Sequence, residues 1–126
     1  MRLTGVSPVL LASDLDRTVA FYRDLLGFEC SLHGEPPDFA VVKRDEAIVL
    51  LQQAPPDAKL VPNWHVVEKM WNVYVRVDDA DAIYAEVQER GCPIDYSISN
   101  KPHGFREFGV TDPDGYDIAF GQPLDA

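Results

Sequence analysis

The feature that most constrains this chain is that the order of elements in its first half recurs in its second. Residues 7–12, SPVLLA, read as a strand, and Ser13-Asp14-Leu15-Asp16 supplies polar residues suited to a helix start. Leu15, Val19, Tyr22 and Leu26 then recur at helical spacing and lay one apolar face, with Gly27 placed to stop the helix. Asn72 to Val77 alternates as a strand, Asp79-Ala80-Asp81 opens a second helix with Ile83, Tyr84 and Val87 on its apolar side, and Gly91 ends it. An offset of 65 residues lays Asp14 on Asp79, Asp16 on Asp81 and Ser7 on Asn72, and one further residue of shift aligns the two glycines. Each half closes on a predicted hairpin, Phe39–Lys43 with Ala47–Gln52 and Phe105–Val110 with Tyr116–Phe120. The second turns at Asp112-Pro113-Asp114-Gly115.

Such a repeat implies two copies of one supersecondary unit that share burial. The expectation is an α+β fold in a single domain, with modules at about 5–53 and 71–122. The connection at 54–70 carries three prolines and no clean period, and admits a short helix around His65–Lys69. At 126 residues and 46% hydrophobic content, the chain is long enough to bury a core of its own.

Charge and cysteine usage exclude several classes of function. Eleven Lys and Arg stand against 21 Asp and Glu, a formal net charge of −10 that repels nucleic acid and anionic lipid and attracts cations. Neither partner class is therefore expected. The N-terminal MRLTGVSPVLLAS has too short an apolar run for a signal peptide, and no uncharged apolar span reaches about 18 residues, so the expected location is the cytoplasm. Cys30 and Cys92 lack CxxC spacing and are expected to be reduced core thiols.

Alternation along the strands separates a core face from a candidate binding face. Val73, Val75 and Val77 point one way and Asn72, Tyr74 and Arg76 the other. Ile118 and Phe120 separate likewise from Asp117, Ala119 and Gly121. The valines should meet the helices. The opposite face, mixed polar and aromatic on a curved sheet, suits a small ligand.

The Asp-Leu-Asp-Arg-Thr-Val-Ala-Phe-Tyr helix start, the Leu-Leu-Gly-Phe at its end and the Arg-Glu-Phe-Gly-Val-Thr-Asp-Pro-Asp-Gly run resemble the vicinal oxygen chelate superfamily. That family includes glyoxalase I, extradiol dioxygenases and bleomycin-resistance proteins. The resemblance covers nearly the whole chain and implies paired βαβββ modules forming a curved mixed sheet, a concave ligand cleft and a homodimer that completes it. Metal-dependent members hold a divalent ion with His and Glu on four strands, and the matching positions here are Ser7, Leu50, Asn72 and Ala119. Leu and Ala offer no donor, and Ser and Asn are poor ligands without imidazole or carboxylate help. The expectation is therefore no metal, no cofactor and no catalytic residue. The outline instead matches the metal-free, bleomycin-resistance-like branch, including Gly104-Phe105-Arg106-Glu107-Phe108. Its members sequester a drug.

A flat cationic ligand calls for aromatic surfaces and negative charge. Aromatic residues gather near predicted strand ends and the connection: Phe39, Trp64, Trp71, Tyr74, Tyr96 and Phe105. Of these, Phe39, Trp64, Trp71, Tyr74 and Phe105 join Asn72, His103, Arg106 and Glu107 as ligand-binding candidates, with core packing or dimer contact as the competing role for each ring. Arg106 and Glu107 adjoin, so at most one faces the cleft while the other is exposed or paired. The alternative function is a lyase or isomerase of the superfamily, using atypical metal ligands or the acid–base groups of His103 and Glu107. Two such residues fall short of a metal site's ligand count.

Overall fold

The computed structural model describes residues 1–125, which fall into two compact units, Met1–Leu60 and the described residues from Val61 onward. Each contains one four-stranded mixed sheet and one principal helix, in an α+β architecture.

In the first unit, β1 (Val9–Ala12) leads to α1 (Leu15–Ala20), which widens into a π-helical turn over Phe21–Leu25. Asp14 caps α1 by accepting from the Arg17 N–H at 3.2 Å, the role its position before the apolar period suggested. Leu15, Val19, Tyr22 and Leu26 are all buried, and the wide turn buries Phe21 beside Tyr22 as well. Gly27, at φ 74°, ends the helix. The sheet then continues through β2 (Glu29–His33), β3 (Phe39–Arg44) and β4 (Ala47–Gln53) in the order β1-β4-β3-β2, with β1 parallel to β4 and the other pairs antiparallel.

The second unit begins with α2 (Asn63–Val66), a short helix set two residues earlier than the sequence implied because Pro62 precedes its first turn. Next come β5 (Val73–Arg76), α3 (Ala80–Glu89), β6 (Ile94–Asn100), β7 (Phe105–Thr111) and β8 (Asp117–Pro123), in the sheet order β5-β8-β7-β6. Asp79 caps α3 through the Ala82 N–H at 3.0 Å, so the two caps sit at the repeat's own offset. β5 runs parallel to β8, as β1 does to β4.

The faces of the second sheet follow the alternation read from the sequence. Val73, Phe108, Val110, Ile118 and Phe120 are buried on the side of α3, whose Tyr84 ring lies 4.9 Å from that of Phe108. β2 and β6 appear in neither predicted hairpin; they supply the extra strand of each βαβββ module. Both cysteines are free thiols, Cys92 buried and Cys30 partly so. No helix among the described residues is long and apolar enough to cross a membrane.

Candidate functional site

The side of the second sheet away from α3 is built around two glycines and an alanine. In register, Tyr74 on β5 pairs with Ala119 on β8, Ala119 with Gly109 on β7, and Gly109 with Tyr96 on β6. One rung along, Gly121 pairs with Glu107. Bulk therefore stands on the outer strands and is missing from the middle ones. Each tyrosine ring leans inward over a glycine: a Cβ at Gly109 would collide with the Tyr96 ring, and one at Gly121 with the Tyr74 hydroxyl. Close approach, rather than an unusual backbone angle, is what these two glycines provide.

The hydroxyls converge on Glu107, whose side chain is only 2% exposed. Tyr74 donates to Oε1 at 2.8 Å and Tyr96 to Oε2 at 2.6 Å, while His103 Nε2 lies 2.6 Å from Oε1. Trp71 Nε1 donates to the Tyr96 hydroxyl at 2.9 Å and ties a fifth side chain into the network. A buried carboxylate without partners is very costly, and here both oxygens are met by directed donors. Burial, followed by the hydrogen bond to Glu107, pushes both tyrosine hydroxyls well above their ordinary pKa, so they remain protonated donors.

Aromatic rings, half-buried at Trp71, Tyr74 and Phe105 and exposed at His103, form the rim of this network. Trp71 meets Tyr74 edge-on at 4.7 Å between centroids, Tyr74 meets Phe105 at 5.5 Å, and His103 lies 5.9 Å from Trp71 and 5.7 Å from Phe105. Lys101 places its ammonium 5.0 Å from the centre of the Tyr96 ring. The result is a π surface over a deeply set negative charge, suited to stacking planar rings and attracting cations.

Five of the residues singled out from the sequence meet here: Trp71, Tyr74, His103, Phe105 and Glu107. The other four make contacts outside this network. Arg106 points to the helix side of the sheet, where its guanidinium grips Asp81 of α3 at 2.9 and 3.1 Å and donates to Asn100, because adjacent strand residues face opposite ways. Asn72 turns its Oδ1 to the Asn63 N–H at 2.9 Å, while Asn63 Nδ2 donates to the Trp71 carbonyl; the pair clamps α2 to the start of β5. Trp64 carries the Lys69 ammonium over its ring at 5.2 Å. Phe39 belongs to the first unit and pairs with His33 at 6.1 Å.

Tyr96 was legible only as one aromatic among several, Gly121 only as a residue on the face opposite Ile118 and Phe120, and Gly109 not at all. The available signal was a glycine at an inward-facing position on each of two adjacent strands, which invites a large neighbour to lie across it.

The positions that match metal ligands do not supply a donor set. Ala119 is a buried methyl between Tyr74 and Gly109, Leu50 is apolar, and the Asn72 oxygen is already taken. Among the described residues, no three of His, Cys, Asp and Glu converge as metal ligands. His103 and Glu107 bond to each other instead of opening toward a shared ion.

Comparison with known proteins agrees with this architecture. A family model described as Glyoxalase/Bleomycin resistance protein/Dioxygenase superfamily matches residues 6–120. The bleomycin-binding protein of Streptomyces verticillus, solved with copper(II)-bleomycin, is similar at 26% identity over 100% of this chain and 99% of that one, with a TM-score of 0.70. An antibiotic-binding protein from Streptomyces sp. CB03234 has 24% identity, covers 98% of this chain and 99% of its own, and has a TM-score of 0.69. A lactoylglutathione lyase from Agrobacterium tumefaciens shares the fold at 22% identity, with 97% and 96% coverage and a TM-score of 0.65. No curated protein sequence matches.

Proposed function

The chain belongs to the glyoxalase/bleomycin resistance protein/dioxygenase superfamily, and from that premise we propose that it is a binding protein that sequesters an aromatic, cationic small molecule of the bleomycin type. The observation that carries this reading is the aromatic rim of Trp71, Tyr74 and Phe105 standing over the buried Glu107 carboxylate. A flat ligand stacks on the rim, and its positive charge is drawn by Glu107 beneath it and by the net negative charge of the chain. Capture of this kind needs no bond making, and the methyl of Ala119 and the amide of Asn72 suit a cleft that works without a metal. The protein acts in the cytoplasm as a homodimer in this reading. Similarity to a protein solved with copper(II)-bleomycin supports the ligand class.

A second reading, a lyase or isomerase, is favoured by one contact. His103 Nε2 is held 2.6 Å from a buried carboxylate while its ring is 45% exposed, the arrangement of an oriented acid–base imidazole.

Thermal-shift titration with metal-free bleomycin tests the first reading. Wild-type protein is expected to gain stability as ligand rises, and Trp71→Ala to lose most of that gain. No shift at saturating drug, or recovery of a chemically altered drug, would overturn it.

A further inference from the structure

His103 differs from the other partners of Glu107 in ways that bear on how this cluster receives a ligand. Tyr74 and Tyr96 are fixed, each wedged over a glycine with its hydroxyl turned inward. His103 instead projects from the turn at residues 101–104 between β6 and β7, with 45% of its side chain exposed. Gly104 in that turn adopts φ 91°, and a Cβ added there would meet open space. The turn is closed by the Gly104 N–H to the Lys101 carbonyl and the Lys101 N–H to the Phe105 carbonyl. The imidazole is thus a planar N–H group flanked by Trp71 and Phe105, bonded to the one buried carboxylate of the cluster and carried on an exposed turn.

We propose that His103 occupies the berth of the ligand's cationic group, so that a planar N–H cation such as an amidinium or guanidinium displaces the imidazole from Glu107 and binds in competition with it. This rests on the sequestration reading and deepens it: it names where the positive group goes and what stands there beforehand. The ligand cation takes over the bond to Oε1 and the faces of Trp71 and Phe105, and the two tyrosine hydroxyls stay where they are. The imidazole has to leave the carboxylate before a ligand cation can reach it, so its bond to Glu107 is set against binding.

Calorimetric titration with benzamidine, a planar N–H cation, tests the proposal. His103→Ala is expected to bind roughly ten-fold more tightly than wild type, since the hydrogen bond that held the imidazole on Glu107 is released for the ligand. Adding Glu107→Gln should remove that gain. His103→Gln, whose amide still fills the berth, should not show it. Binding unchanged or weakened in His103→Ala, or a gain that survives Glu107→Gln, would overturn the proposal. The sequestration reading fails on a different result, the absence of a bleomycin shift in wild-type protein.

Discussion

Glu107 is accommodated in the interior because strands on both sides of β7 send its carboxyl oxygens a hydroxyl. Tyr96 is the sole hydrogen-bond partner that Oε2 has in the network, and its hydroxyl also receives the Trp71 N–H. Tyr96→Phe therefore strands an acceptor and a donor together. It is expected to cost about 1.5–3 kcal/mol, the range for a lost hydrogen bond to a charged group, read from urea unfolding. Gly109→Ala acts on the same ring from beneath: the new methyl has to push Tyr96 aside, and the expected loss is about 1–3 kcal/mol. These residues divide by how far away their reasons lie. Tyr74 was legible because the valine alternation of its own strand turns it away from the core. The need for glycine at 109 and 121 was not, because what requires it is a side chain on a neighbouring strand.

At the scale of elements, the chain could be read where periodicity and caps coincide. Asp14 and Asp79 both precede an apolar helical period and both cap. Asp79→Ala is expected to cost about 1 kcal/mol, measured by thermal unfolding. β2 and β6 escaped the pattern for a physical reason. Almost all of β2 is exposed at a sheet edge, and β6 alternates polar residues across two register shifts, so neither carries the apolar rhythm of a buried strand. The β7–β8 turn carries a pH signature. Asp112 Oδ1 accepts from the Asp114 and Tyr116 N–H groups, yet burial dominates and raises its pKa from the ordinary 3.8 to about 6. An acid that binds its proton more tightly folded than unfolded adds stability below about pH 4, and loses it as pH climbs through about 6. Asp117, raised to about 7 by burial and the neighbouring Asp95, extends the decline in the same direction. Asp112→Asn keeps an acceptor for both N–H groups, and unfolding measured across pH is expected to show a shallower fall between 4 and 6 than in wild type.

For the whole molecule, the net charge of −10 and the doubled module answer different questions. The repeat dictated the architecture, and the order β1-β4-β3-β2 recurs as β5-β8-β7-β6. Charge dictates which ligands approach. Affinity for a cationic aromatic ligand is expected to fall as salt rises from about 0.01 M to 1 M, while that for a neutral aromatic of the same shape is not. Function is less legible than fold, since one scaffold hosts both antibiotic-binding proteins and a lactoylglutathione lyase. What separates the two readings is whether the bound molecule leaves unchanged. The most direct measurement incubates the protein with excess metal-free bleomycin and follows bound, free and altered drug by mass spectrometry. Stoichiometric capture of intact drug, constant with time, is the result this account expects. Drug that is progressively consumed beyond the amount of protein, or none retained at all, would contradict it.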